Sequence, residues 1–357
     1  MAHGIVKGID KGIVGLCDVF GGTWHNFKEY QQVNGKVPFQ DVVETLNYKV
    51  EKRQVHIPVN QPDGTIVMTA VPEMFVLTRA DSQVAVHNIS VSDEFQVYQN
   101  LEFLNEMENG VMKNNPELGI ESCGSLWAGR LAFVNFILDK YCVKGDTSET
   151  MTRLMYYNAF GGRSISCCCS SVRVVCNNTL MLSEAQGAAN QTLRKFKHTS
   201  GAPKRVESHV SDLAKVMIAT AHHKEQLDHL ASQQMQAREV EHFLGHMFEI
   251  EEGDSKKTQA TRVNKRGEIL KIFESGVDLQ GAIARTRYAM LQSVTAYSQH
   301  ETLSKDMDET STWFDVVSGG GRHKFNQKAF SILVQDEIPI PAGAVSVCDL
   351  AEASNFN

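Results

Sequence analysis

Gly119–Leu126 (GIESCGSL), Leu131–Leu138 (LAFVNFIL), Thr152–Phe160 (TRLMYYNAF) and Ser164–Val175 (SISCCCSSVRVV) follow one another through short connections that hold Gly or Asp. Each run is too short for a buried helix and carries the β-branched and aromatic residues that fit a pleated surface. Four such runs in sequence predict an antiparallel meander. This stretch decides the fold class.

Working outward, a helix precedes the meander: Tyr98, Leu101, Leu104 and Met107 recur at three-residue spacing, with Gly110 as its expected stop. Upstream, Val55, Ile57 and Val59 alternate, Pro62-Asp63-Gly64 supplies a turn, and Thr65–Val71 is rich in strand formers. Pro presets one dihedral and Gly supplies a positive φ, so the pair of runs reads as a hairpin. Phe75–Thr78 and Val84–Ile89 read as two further strands, and Gln40–Thr45 as a short helix. After the meander, Asn178 or Thr179 is expected to open a helix running towards Phe196.

The second half has helical periodicity. A long segment, Val206 to about Phe248, carries Val210, Leu213, Met217, Leu227, Leu230, Leu244 and Met247 as an interrupted stripe. Helices are further expected at Gln259–Phe273, Gln280–His300 and His323–Leu333, and the tail from Pro339 reads as a docking arm. The expected architecture is therefore α+β: an antiparallel β-meander with packed helices over residues 1–200, then a mostly helical extension over 201–357 ending in a C-terminal arm.

Composition excludes the unusual classes. With 357 residues, 42% hydrophobic and 22% charged, the chain can bury a sizeable core. No apolar run approaches the ~20 residues of a membrane-spanning helix. Met1–Cys17 mixes Lys and Asp with Gly and builds no secretory apolar segment, so a cytoplasmic, membrane-free protein is expected. Eight Cys, three adjacent at Cys167, Cys168 and Cys169, fit reduced thiols acting as small buried hydrophobes.

The net charge of −7 argues against a uniformly basic coat, yet three windows lack acidic residues and concentrate bases. Ala185–Val206 holds Arg194, Lys195, Lys197, His198, Lys204 and Arg205 around Phe196; Ser255–Gly267 holds Lys256, Lys257, Arg262, Lys265 and Arg266; Val316–Gln335 holds Arg322, His323, Lys324 and Lys328 after Gly319-Gly320-Gly321. Phosphate-pairing charge beside a stackable aromatic is what single-strand binding uses. Any one window taken alone is equally a solvated helix face. The glycine run could bring backbone N–H groups to a phosphate, although no Gly-Lys-Ser/Thr follows it as a P-loop requires. Elsewhere, His242, His246 and Glu249 have the spacing to share a metal on one helix face, but the zinc-protease pattern fails at Phe243. Trp24, Trp127, Tyr156 and Tyr157, with Arg130 and Arg153 nearby, could stack on bases or simply pack in the core. No cofactor or catalytic residue is implied.

Ser171-Val172-Arg173-Val174-Val175-Cys176-Asn177-Asn178-Thr179-Leu180, Val97-Tyr98-Gln99-Asn100, Gly124-Ser125-Leu126 with Gly129-Arg130, and Ala289–Tyr297 occur in an order that resembles the phage- and plasmid-related proteins grouped as a domain of unknown function. The resemblance implies a mobile-element setting in the cytoplasm of a host cell and no stated activity. In outline the chain is also similar to phage single-strand annealing recombinases, which implies single-stranded DNA binding, and possible strand annealing, by a homo-oligomer. On that analogy Arg163 and Arg173 on the meander, with Arg194, Lys195 and Lys197 beyond it, line a groove for the DNA backbone. The rival expectation is an interaction protein that captures a host factor on the long helix Val206–Phe248.

Overall fold

The structure, a computed structural model, describes residues 15–18, 31–33, 35–83, 85–86, 90–126, 128–160, 164–173, 178–181, 193–210, 213–277, 279–301, 315–316 and 318–338. The chain is α+β. Strands β5 (Ile120–Leu126), β6 (Leu131–Cys142), β7 (Glu149–Ala159) and β8 (Ile165–Arg173) form the expected antiparallel meander. Short strands β1 (Gly15–Asp18) and β2 (Gln31–Val33) extend it on the β5 side.

At the other side the segment 178–196, expected as helix, begins and ends in strand, and residues 182–192 lie outside the described residues. β9 (Asn178–Met181) pairs with β8 from Arg173↔Asn178 to Ser170↔Met181, and β10 (Leu193–Phe196) pairs with it from Cys168↔Leu193 to Ile165↔Phe196. The two are one edge strand interrupted by residues 182–192. The outer edge of β8 carries backbone groups that need partners, and that tertiary demand overrides local helix propensity.

Both sheet faces are buried. Ala132, Val134 and Phe136, Leu154 and Tyr156, and Ile165, Cys167 and Cys169 point to one face and join the first hydrophobic core. Helices α1 (Phe39–Leu46), α2 (Asn100–Met107) and α3 (Ala202–Val210) contribute Val42 and Leu46, Phe103 and Leu104, and Val206 to it. A polar chain locks these helices to the sheet. Buried Asn158 donates to Tyr98 O (2.8 Å) and Asn100 Oδ1 (3.0 Å), and Asn100 donates to Leu46 O (3.0 Å). α2 does not stop at Gly110: the chain passes through it in a π-turn, Glu108–Met112, and ends where Asn114 and Asn115 side chains take the carbonyls of Gly110 and Val111.

On the opposite face the polar content is higher. A bulge between Ile120 and Ser122 sets Glu121 and Ser122 on the same side, where Ser122 Oγ accepts from Asn135 (3.0 Å). Glu121 holds Arg153 through two 2.6 Å bonds, both side chains being 1% exposed.

The helices α4 (Leu213–Ser232), α5 (Ala237–Met247), α6 (Lys256–Ser275), α7 (Arg287–Ala296) and α8 (Gly321–Leu333) build a second core around Leu230, Phe243, Ile269, Tyr288 and Phe330. Tyr141 of β6 and Val143 just after it belong to this core, while Val216 of α4 belongs to the first, so the two cores interlock. The expected single helix over 206–248 is three helices. Gln233–Met235 leave the helix to pair with Arg285–Arg287, and Gln236 with Glu239 then forms a capping box that starts α5. The 280–300 segment likewise opens as a 3₁₀ turn, Gly281–Arg285, before α7 and closes in a π-turn, Tyr297–Glu301.

β3 (Val50–Asn60) and β4 (Ile66–Arg79) form the expected hairpin as a separate two-stranded sheet whose base, at Val50 and Leu77, joins the first core. Phe75–Thr78 is the end of β4 rather than a strand of its own. Ala85 and Val91 meet it only at single bridges, and residues 84 and 87–89 of the second expected strand lie outside the described residues. The tail from Pro339, Trp24 and Trp127 also lie outside them.

Removing one partner of the Glu121–Arg153 pair strands a buried charge. Glu121→Ala is expected to cost about 3–5 kcal/mol in urea denaturation, and Glu121→Leu with Arg153→Met to recover most of it. A single-variant loss near zero would contradict this account of the second face.

Candidate nucleic-acid interface

On β10 the side chains alternate between faces. Arg194 and Phe196 lie opposite Cys167 and Ile165, and Phe196 packs against the first core, so it is not presented for base stacking. Lys195 and Lys197 turn the other way and are exposed. His198 is buried, with Nε2 at 2.8 Å from Ala159 O and its ring stacked on Phe95 at 4.7 Å. Arg205 folds back to donate to Lys197 O (3.2 Å) and Thr199 Oγ1 (2.8 Å), which fixes the turn into α3, while Lys204 stays exposed. The first window therefore divides into an anchoring set and an outward set.

The third window joins the first. His323, buried at the start of α8, has its proton affinity lowered first by burial and then by the charges of Lys195 and Lys324, against an opposing pull from Asp315. Lys195 of β10 and Lys324 of α8 thus act on one imidazole. Among the described residues neither has a carboxylate partner, and the same holds for Lys197 and Lys204. Arg322 is committed elsewhere: its Nε donates to Ser298 O at 2.7 Å.

The glycine run does not make a phosphate cradle. Asp315 takes that position, its carboxylate accepting from Gly321 N (3.3 Å) and Arg322 N (2.7 Å). A Cβ at Gly320 would collide with the same carboxylate, which is why the position needs glycine.

Of the second window the two arginines are spent on the fold, while Lys256 and Lys257 are exposed at the start of α6. Arg262 pairs with Asp254 and donates to Glu249 O, and Arg266, itself buried, donates to Phe248 O. These forks close the turn between α5 and α6, leaving Lys265 exposed on α6. His246 and Lys328 both reach Glu249, at 3.7 and 4.0 Å. Among the described residues no group of three His, Cys, Asp or Glu is placed to hold a metal ion.

Of the remaining sequence candidates, Arg163 and the side chain of Arg173 lie outside the described residues. Arg153 is held by Glu121, and Tyr156 and Tyr157 are buried in the sheet. Cys167, Cys168 and Cys169 are buried free thiols, and burial raises the pKa of each, that of Cys169 to about 12, so they are poor nucleophiles. Sequence reasoning did not find Asp315 as the cap of α8, nor the buried Ser171–His223 contact at 3.0 Å. Neither pairing leaves a signal in local spacing.

The domain described as Domain of unknown function (DUF932) matches residues 86–314. The chain belongs to this family. The DUF932 match takes in the meander, β10 and α2 through α7, and leaves out the β3–β4 hairpin and α8. The basic surface is therefore composite: Lys195 and Lys197 come from the DUF932 region and Lys324 from beyond it. No curated protein and no solved structure matches the chain. Among the described residues no helix is long and apolar enough to cross a membrane.

The buried histidines set a pH dependence. His198, His223 and His323 all have folded-state pKa values lowered by burial, His223 to about 3. The folded state then binds fewer protons than the unfolded state, so their contribution is complete above pH ~6.5 and is lost as pH falls below it. Urea midpoints are expected to drop between pH 7 and pH 5. His223→Gln should flatten that dependence by up to about 1.4 kcal/mol per pH unit; an unchanged slope would contradict the assignment.

Proposed function

We propose that this DUF932 protein binds the phosphate backbone of single-stranded DNA along the edge formed by β10 and the start of α8, and that this binding serves strand annealing in phage or plasmid replication or recombination in the host cytoplasm. The observation that carries the reading is the packing of α7 and α8 on β9, along the same edge of β8 that β10 shares, with the charge of Lys195 reaching His323 at the start of α8; this relates two acid-free windows far apart in sequence. Lys195, Lys197 and Lys324 supply exposed charge and Lys204 is exposed too, whereas half-buried Arg194 lies on the other face of β10 with Phe196. An edge strand whose lysines project past the sheet can follow a single backbone, because successive charges along a strand are separated by roughly 7 Å, close to the phosphate repeat of an extended strand.

Phe196 is packed away, so recognition here rests on charge rather than stacking. The expected binding is steeply salt-dependent and indifferent to sequence. Capture of a host protein on the 206–248 segment has less to stand on, because Leu227, Leu230, Leu244 and Met247 of its apolar stripe are spent on the second core.

Fluorescence anisotropy with single-stranded and duplex oligonucleotides across a salt series tests the proposal. Lys195→Glu, Lys197→Glu and Lys324→Glu together should weaken single-strand binding and lower the slope of log K against log salt by about 2, at ~0.7 per phosphate contact. Lys265→Glu should leave both unchanged. Absence of binding at low salt, or an equal effect from Lys265→Glu, would overturn it.

A further inference from the structure

We infer that the first turn of α8 is a phosphate site and that Asp315 is its resident competitor: the carboxylate holds the N–H groups that a phosphate takes, and it swings out when the phosphate binds. This rests on the DNA reading only for the source of that phosphate, the backbone of a single strand.

α8 opens without a capping side chain of its own. Its N-cap is Gly320, and Gly319-Gly320-Gly321 leaves the backbone there bare. The first N–H groups of a helix need acceptors, and together they act as roughly half a positive charge. Asp315 meets that need from outside the helix. One of its oxygens accepts from Gly321 N (3.3 Å) and the other from Arg322 N (2.7 Å). A phosphate can take the same two consecutive N–H groups with two of its oxygens. In the structure Asp315 fills that place, and a phosphate would compete for it.

The surroundings are more basic than one carboxylate neutralises. The charges of Lys195, from β10, and of Lys324 act together with that of Asp315 on the His323 ring, so the three stand about one imidazole. Both lysines are exposed, and among the described residues neither pairs with Asp315 or with another carboxylate. Two lysines and a helix start against one carboxylate leave positive charge over. A phosphate, with more oxygens than a carboxylate, can reach the lysines and the N–H groups at once.

His323 points to a ligand independently of the helix end. Its side chain is buried, at 7% exposure, and its Nδ1 has no hydrogen-bond partner. Buried polar atoms are seldom left in that condition. As the third residue of α8 it has a Cα–Cβ bond that leans back towards the helix start, where the phosphate would sit. A phosphate oxygen there gives Nδ1 an acceptor in the tautomer that carries its proton on that nitrogen.

Release of Asp315 needs no hinge. Gly320 N donates to Asp315 O at 2.8 Å, so the main chain stays tied while the side chain turns about its first dihedral. Asp315 is half-buried and has water on one side to turn into. A chain that lacks the carboxylate charge therefore binds phosphate more tightly than the wild type.

Two measurements on the full chain test this. In fluorescence anisotropy, Asp315→Asn is expected to bind a single-stranded oligonucleotide about fivefold more tightly than wild type, the effect of removing one charge ~4 Å away in water. Asp336→Asn, the same charge change just past the far end of α8, should do little. In thermal unfolding, Asp315→Ala is expected to melt below wild type, and inorganic phosphate to restore more of that loss than chloride at equal ionic strength. Lys324→Gln in the Asp315→Ala background should remove the difference between the two salts. If the chains bind the oligonucleotide and Asp315→Asn binds no more tightly than Asp336→Asn, or if phosphate does no better than chloride, the inference is overturned. Phosphate rescue with no strand binding by wild type or by Asp315→Asn would support the site and count against the DNA reading alone.

Discussion

Every strand in a sheet has two edges whose backbone N–H and C=O groups must find partners, and in this fold the outer edge of β8 is where that requirement shapes everything else. A single uninterrupted strand does not fill it. β9 covers the half near Arg173 and β10 covers the half near Ile165. This divided edge determines where the first basic window sits. It fixes Lys195 and Lys197 on one face with Phe196 on the other, and it directs the chain from His198 into α3. Helices α7 and α8 pack against β9 at the same edge, which brings Lys324 and His323 to Lys195.

Polar ties as well as apolar contacts hold the layers of the fold together. Asn158 and Asn100 bind α1 and α2 to β7 through otherwise orphaned carbonyls. Tyr288 Oη lies 3.1 Å from Asp146 Oδ2, and Lys144 N donates to Asp228 at 2.8 Å, so the turn after β6 is held by α4 and α7 together. Such groups are costly to bury unpaired and specific when paired, so they fix the relative placement of the layers more sharply than aliphatic packing would. The site depends on that placement. Its two halves come from different layers of the fold.

The meander was legible in the sequence because each strand keeps strand-forming residues between turn residues, and the structure follows those boundaries within a few positions. The segment 178–196 was not legible, since the reason for its conformation lies in β8 and not in its own residues. Basic composition was visible, but role was not. Arg262 and Arg266 look like Lys195 in a window count, yet a guanidinium can satisfy several carbonyls at once and these two are consumed doing so, whereas exposed lysines are not. Gly319-Gly320-Gly321 permits close approach, which an anion cradle and a plain flexible loop would use alike. What approaches is the carboxylate of Asp315, six residues before Gly321.

The central claim is that β10 and the start of α8 form one binding surface. Hydrogen exchange of the amides, measured by mass spectrometry with and without a single-stranded oligonucleotide at low salt, addresses it most directly. The account predicts slowed exchange in residues 193–198 and in residues 321–325 together, with α6 unchanged. Protection of only one of the two segments, or of α6 in their place, would contradict it.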